Sequence, residues 1–309
     1  MPGYQELFRS GKLGTRVREA ESLLKNCRLC GLVCGVDRVA GELGRCKTGT
    51  YAVVSNYGPH FGEEAPLVGT GGSGAIFFTN CNLKCVYCQN YAVSQSGKGQ
   101  EVSADVLAQM MLDLEKRGCH NINLVSPTHQ ISQILEALQL AAAGGLSLPL
   151  VYNTGGYDSP EALALLDGVI DIYMPDMKYS DEKTALELSR VKDYPAVNRG
   201  AVKEMHRQVG ELVLDERGVA RRGLLVRHLL LPDGLAGTEG VVTFLAREVS
   251  VNTYLNIMSQ YRPCYGAFQF PGLMRTVGGD ELMQAVKLAY DAGLNRLHGF
   301  CVLDAASDD

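Results

Sequence analysis

A chain of 309 residues with 46% apolar side chains is long enough for one large domain with an extension, or for two ordinary domains, and can bury a sizeable core. Its formal net charge of -5 excludes nucleic acid as a default partner, because neutralising phosphates needs an excess of lysine and arginine. Seven of the ten cysteines fall in two tight groups, 27–46 and 81–88, which suits metal binding in a reducing cytoplasm and not the disulfide framework of a small secreted domain.

Residues 1–26 place Val17, Ala20, Leu23 and Leu24 at helical spacing among charged neighbours and read as a polar, partly helical lead-in. They contain no apolar core of a leader peptide, and no later run approaches the roughly 18 apolar residues of a membrane span. A cytoplasmic protein without membrane contact is therefore expected. Next come Cys27, Cys30 and Cys34 in C-x2-C-x3-C spacing, with Cys46 eleven residues beyond Cys34 in the intervening count. Gly41 and Gly44 permit the turns that gather the four thiolates. Four soft ligands suit tetrahedral zinc or an iron-sulfur cluster, and spacing does not separate the two. Four unrelated buried thiols are the plainer alternative.

His60, Glu63 and Glu64 follow in what reads as a loop, with either a solvated role or a place facing the active site. The glycine-rich run 69–74 lacks Gly-Lys-Ser/Thr and leads into a strand, so it reads as a flexible turn and not as a phosphate cradle. From residue 74 onward strands and helices alternate. Strands are expected at 74–79, 121–125, 149–152, 169–174, 223–231 and 252–258. A helix capped by Ser103 and stopped by Gly118 follows the first, and others are expected at 131–143, from Ser159-Pro160 onward, and at 181–190, 201–208, 238–249 and 281–292. Six beta-alpha units with right-handed crossovers imply an α/β fold, a partial barrel of six parallel strands. The expected division is an N-terminal extension at 1–62, carrying the four-cysteine metal site, and a barrel at 63–309.

The stretch after the first barrel strand carries Cys81, Cys85 and Cys88 in C-x3-C-x2-C spacing, with Tyr87 before the last cysteine. Three thiolates this close can wrap one corner of a compact inorganic cube. Zinc or a two-iron cluster wants a fourth protein ligand, and no cysteine or histidine stands nearby to give it. One iron is then left open to a small chelating molecule, and Tyr87 is placed to pack on an adenine ring.

On this motif the chain resembles the radical S-adenosylmethionine (SAM) enzymes, and its N-terminal cysteine group is similar to that of an uncharacterised branch related to the pyruvate formate-lyase activating enzymes. The resemblance implies a 4Fe-4S cluster on Cys81, Cys85 and Cys88, and reductive cleavage of SAM to methionine and a 5'-deoxyadenosyl radical. That radical takes hydrogen from a substrate such as a glycyl radical enzyme or another protein or peptide. The electron comes from a donor such as flavodoxin or ferredoxin. Modification of a small metabolite, or a zinc- or iron-binding scaffold without catalysis, are the competing readings.

The same resemblance assigns roles at the strand ends. Ser126 and Thr128 stand where related enzymes hold the methionine amino group with a Gly-Gly-Glu-like segment. Asn153, Thr154, the Met174 carbonyl and Asp176 are the expected oxygen ligands of a monovalent cation, with Asn153 replacing an acid, and Lys178 is expected close to SAM. Arg227 is expected to pair with the SAM carboxylate, for which a guanidinium is well shaped. Gln260 stands near where the activating enzymes place a histidine. His129 and Cys264 are the candidates for chemistry, as a proton donor or substrate contact and as a thiol facing the cavity. The structural alternatives are a helix cap at Thr128, a salt bridge between Asp176 and Lys178, and an ion pair at Arg227.

Overall fold

A computed structural model describes residues 1–299; Cys301 and the tail at 305–309, read from sequence as solvated, lie outside the described residues. The strands are β1 (Ala52–His60), β2 (Ser73–Phe78), β3 (Gln100–Val102), β4 (Ile122–Val125), β5 (Leu150–Thr154), β6 (Ile172–Pro175), β7 (Val213–Leu214), β8 (Ala220–Leu229) and β9 (Tyr254–Met258). The helices are α1 (Gly3–Arg9), α2 (Lys12–Leu23), α3 (Ala65–Val68), α4 (Tyr91–Ser94), α5 (Ala104–Lys116), α6 (Ile131–Ala143), α7 (Pro160–Leu166), α8 (Glu182–Ser189), α9 (Tyr194–Val209), α10 (Thr238–Phe244) and α11 (Gly279–Asp291).

One sheet runs in the order β3-β1-β2-β4-β5-β6-β8-β7, with β9 pairing residues 225–229 of β8, beyond the stretch that β7 pairs. Strands β2, β4, β5, β6, β8 and β9 are parallel neighbours, the expected six-stranded partial barrel. Their apolar runs, such as Leu150, Val151 and Tyr152, are buried because helices cover the sheet's outer face. The helices begin where short polar side chains satisfy free backbone N–H groups. Ser103 accepts from the amide of Val106, Ser159 from that of Ala162, and Asp181 from that of Thr184.

Two antiparallel strands extend the barrel and were not expected from sequence. Strand β1 pairs with β2 on one side and with β3 on the other, and β3 covers only Ala52–Val54. Gly58 and Pro59 are poor strand formers, and both lie on the part of β1 that β3 leaves unpaired, where β2 alone pairs with the strand. The lead-in is integral as well. Tyr4, Leu13, Val17 and Ala20 are buried in the same core as the sheet and α6, and the Tyr4 hydroxyl lies 3.0 Å from the carbonyls of Leu146 and Leu148. The expected boundary at residue 62 thus falls between two hydrogen-bonded strands, inside one continuous core. No helix of the described residues is long and apolar enough to cross a membrane.

Candidate active site

The cysteine loop leaves β2 through Asn80, whose left-handed backbone (φ 64°) turns the chain across the carboxyl ends of the barrel strands. It is pinned from two sides. The amides of Lys84 and Val86 donate to the carbonyls of Ser189 and Leu188 at the end of α8, and the Asn82 side chain donates to the Tyr157 carbonyl at 2.9 Å. Tyr87 is held by its hydroxyl, 2.6 Å from that of Tyr179, and its ring meets those of Tyr179 and Tyr261 edge-on.

Each sulfur of the loop has a hydrogen-bond partner. The amide of Leu83 donates to Cys81 Sγ at 3.4 Å, Ser189 Oγ lies 2.9 Å from Cys85 Sγ, and Ser94 Oγ lies 3.0 Å from Cys88 Sγ. These are the donors that a metal-bound thiolate needs around it. Burial pushes the Cys81 thiol up to about 12 and raises that of Cys85, so thiolates form here only beside added positive charge. Three sulfurs that face one cavity, each with a donor, fit the corner of an iron-sulfur cluster. Ser94 and Ser189 carry no sequence signal of this role; Ser189 comes from a helix more than a hundred residues away.

The cavity holds about 530 Å³ and is lined by Cys81, Cys85, Cys88 and Tyr87, and also by Ser126, Asn153, Thr154, Asp176, Lys178, Arg227, Gln260, His60 and Glu63. It is of the size that a nucleotide-like ligand needs, within the roughly 300–1,000 Å³ of small-molecule sites. His60, Glu63 and Glu64 were expected in a loop: His60 instead ends β1, Glu63 lies in the loop that follows it, and these two line the cavity.

Charge at the cavity floor is organised around Asp176. Its carboxylate accepts from Lys178 Nζ at 2.6 Å and from Arg227 Nε at 2.9 Å, and Arg227 Nη2 donates to Asn153 Oδ1 at 2.7 Å. Burial alone would raise the Asp176 carboxyl, but the guanidinium and ammonium outweigh it and hold the group below the usual carboxylate range. Arg227 Nη1 also stands 3.7 Å from Glu63 and 4.0 Å from Glu64. Burial, only partly opposed by Arg227, pushes Glu63 up to about 7. Glu64 is buried and accepts from Asn256 Nδ2 at 2.9 Å, outside the cavity lining.

The structure places several of the expected residues differently. The oxygens expected around a monovalent cation are shared differently: Arg227 and Lys178 bring two side-chain cations to Asn153 and Asp176, while Thr154 Oγ1 is 2.8 Å from Asp158 Oδ2 and 2.9 Å from Thr128 Oγ1. Thr128 is buried in that hydroxyl–carboxyl network behind β5 and does not line the cavity. His129, expected as a proton donor or substrate contact, is buried away from the cavity. Its Nε2 lies 2.8 Å from the Thr79 carbonyl, and burial lowers its imidazole to about 4, so it is neutral at physiological pH. Cys264 does not line the cavity either; its thiol sits 3.3 Å from the Tyr87 carbonyl. Ser126, Lys178, Arg227 and Gln260 do reach the cavity.

Residues 75–214 match the radical SAM superfamily. An uncharacterised protein of Methanocaldococcus jannaschii is 30% identical over 302 residues, an alignment that covers 95% of this chain and 82% of that protein. Among solved structures, a radical SAM methyltransferase from Sphaerobacter thermophilus aligns with a TM-score of 0.49 at 13% identity, over 71% of this chain and 64% of its own. The FeFe-hydrogenase maturase HydG from Carboxydothermus hydrogenoformans gives 0.49 at 12% identity, over 71% of this chain and 50% of its own. The present chain therefore spans less than two thirds of either solved protein. The chain belongs to the radical SAM superfamily. Membership implies a 4Fe-4S cluster and reductive cleavage of SAM.

Proposed function

We propose that Cys81, Cys85 and Cys88 hold the 4Fe-4S cluster, that the cavity beside them binds SAM, and that the hydrogen removed in turnover comes from a protein or peptide. The carrying observation is that the three donor-supported thiols and the Arg227–Lys178 pair face the same space. When bound, the cluster supplies the single electron that splits SAM. The chain's residues do the rest. Arg227 and Lys178 are the cations available to the SAM carboxylate, and Asp176 orients both. Ser126, on a left-handed turn after β4, offers a hydroxyl to the methionine amino group. Tyr87 walls the nucleotide side, and the low polarity of its tyrosine surroundings keeps water from the reacting carbon.

Exposed aromatic rings at the rim favour a macromolecular substrate. Tyr91, next to the lining residue Asn90, stacks on Tyr265 with centroids 5.2 Å apart, and Phe61 adjoins the lining residue His60; all three are exposed. The substrate class includes a glycyl radical enzyme, as the activating enzymes would lead one to expect, and a low-potential donor such as flavodoxin or ferredoxin supplies the electron.

The test is anaerobic incubation with SAM, reductant and deuterated candidate partners. Deuterium appearing in 5'-deoxyadenosine identifies the substrate, and a glycyl doublet in electron paramagnetic resonance identifies the glycyl radical case. Label arriving only from small metabolites would overturn the protein-substrate reading. Zinc in place of iron, with no absorbance near about 410 nm and no 5'-deoxyadenosine, would return the chain to a non-catalytic scaffold.

A further inference from the structure

Residues 27–51, between the end of the lead-in helices and β1, form no helix or strand, although ordered connections beyond about 12–15 residues are uncommon unless they are functional. The path is nonetheless closely set. The Cys27 amide donates to the Val36 carbonyl and the Gly35 amide to the Cys27 carbonyl, both at 3.0 Å, so Cys27 lies against the strand of residues that follows Cys34. A side-chain carbon added at Gly44 would lie 3.0 Å from Cys34 Sγ, which puts that thiol over the turn two residues before Cys46. Cys30 is within Coulombic reach of Cys27, Cys34 and Cys46. All four are free thiols; Cys27, Cys30 and Cys46 are buried and Cys34 is exposed.

Backbone strain sits beside two of them. Val33, immediately before Cys34, has φ 41°, and Lys47, immediately after Cys46, has φ 50°. A β-branched residue in the left-handed region is an outlier that persists only where the surroundings over-determine it. Four free thiols make no bond that would offset such strain. Metal–thiolate bonds would.

The placement of the ligand side chains bears on the kind of metal centre. Sulfurs around one tetrahedral zinc stand roughly 3.8 Å apart, given the Zn–S bond length. Among the described residues no three cysteine, histidine or acidic side chains close on a point in the way a single ion needs. The same is true of Cys81, Cys85 and Cys88, assigned above to a cluster. Ligands at the corners of a polynuclear centre stand further apart.

We propose that Cys27, Cys30, Cys34 and Cys46 hold a second iron-sulfur centre, and that Arg38 ties it to the loop bearing the first. Arg38 is buried, directs Nη2 at Cys46 Sγ (3.5 Å) and donates from Nη1 to the His129 carbonyl at 2.8 Å. The His129 ring then donates to the carbonyl of Thr79, two residues before Cys81. Lys84, within the first loop, lies in Coulombic reach of both Cys81 and Cys46. The two cysteine groups thus share a wall. Arg38 is a positioning residue, whose positive charge also stabilises the more reduced, more negative state of the N-terminal centre. The comparison with Cys81, Cys85 and Cys88 rests on the cluster proposed for them above, and nothing else here depends on the substrate or on how SAM is bound.

The experiment takes the full chain with Cys81, Cys85 and Cys88 all replaced by alanine, prepared anaerobically with iron and sulfide, and measures iron, acid-labile sulfide and zinc. Retained iron and sulfide in equal amounts, with an iron-sulfur signal in electron paramagnetic resonance after reduction, is the expected result; zinc alone, or no metal in a variant that keeps wild-type circular dichroism, overturns it. Should the triple variant not fold, Cys34→Ala in the otherwise intact chain answers the same question, since an exposed side chain is the least costly to remove. It should lower the iron content and alter the spectrum, and unchanged iron and spectrum overturn the site. Arg38→Gln should leave the metal content in place and move the potential of the N-terminal centre downward. An unmoved potential refutes the role given to Arg38.

Discussion

Asp176→Asn is the sharpest probe of the cavity floor. The substitution keeps the shape of the side chain and removes the one charge that Lys178 and Arg227 share, at 2.6 and 2.9 Å. Each contact has a gross Coulomb energy of about 6 kcal/mol at an effective dielectric near 20, and desolvation of the ions cancels much of the sum. Breaking a buried pair while leaving its partner charged typically costs about 3–5 kcal/mol. Lys178 and Arg227 are each 17% exposed at the side chain, and Arg227 retains Asn153 and Glu63, so the lower end, about 3 kcal/mol, is expected. For a chain of this size that is a fall in melting temperature of roughly 4–6 °C. The assay is anaerobic thermal unfolding by circular dichroism at matched cluster loading and one scan rate. A second variant isolates the cause: Lys178→Met placed in the Asp176→Asn background should recover about 1 kcal/mol, because it removes the stranded cation. The pH dependence has a defined sign. Asp176 is held below its ordinary value of 3.8, so its contribution is complete above that value and is lost as pH falls through the depressed folded one, a loss that Asp176→Asn does not show. A fall in melting temperature under roughly 2 °C would refute the shared-anion picture.

Three further outcomes follow from the same structure. His129 is neutral when folded, with its value lowered from 6.5 to about 4; the unfolded chain takes up the proton first, so stability attributable to it is full above about 6.5 and declines toward pH 4, by about 3 kcal/mol in total. The difference between wild type and His129→Gln in anaerobic urea titrations should shrink over that interval, and a pH-independent difference would contradict the buried, neutral assignment. Glu63, pushed up to about 7, ionises beside Arg227 as pH rises, and in the binding mode proposed above it then competes with the SAM carboxylate for the guanidinium. SAM affinity measured by equilibrium dialysis should fall a few-fold through pH 7 in the wild type and stay level in Glu63→Gln; parallel profiles would remove Glu63 from the binding site. Gly156, at φ 71°, faces the Asn198 side chain and the Asp176 carbonyl with no room for a side chain, so Gly156→Ala should cost about 2–4 kcal/mol in the same unfolding assay.

How much of this was visible in the sequence follows from where each signal resides. The three-cysteine loop and the parallel strands were legible because their information is local: fixed spacing in one case, and in the other uninterrupted apolar runs such as Leu150 to Tyr152 bounded by capped helices. Strand β1 was not, because Gly58 and Pro59 are poor strand formers and what holds them extended is pairing with β2. Arg227 and Asp176 were each singled out, yet their mutual contact spans 51 positions, and no local pattern says which oxygen a guanidinium will choose. Resemblance pointed to a cation among Asn153, Thr154 and Asp176. The fold brings the chain's own cations there.

These side-chain cations bear on the site as a whole. A pocket that must hold a sulfonium cation and a carboxylate together needs fixed charges of both signs, and mobile side chains in water would lose most of their preference to screening. Here the positive groups are anchored on strand ends, Arg227 on β8 and Lys178 just beyond β6, and one carboxylate holds both in place. The hydrogen bonds that fix them come from Asn153 and from the backbone frame around Tyr194, whose hydroxyl bridges the carbonyls of Gly155 and Asp176 and accepts from the Lys178 amide. Orientation is therefore set before any ligand arrives, and ordering these residues adds little to the cost of binding. On this reasoning Tyr194→Phe, at a residue that does not itself line the cavity, should weaken SAM binding several-fold with the fold intact, since it frees the turn on which Asp176 and Lys178 stand. Unchanged affinity in Tyr194→Phe would mean that the strand ends alone, without this bridge, hold the charges in position.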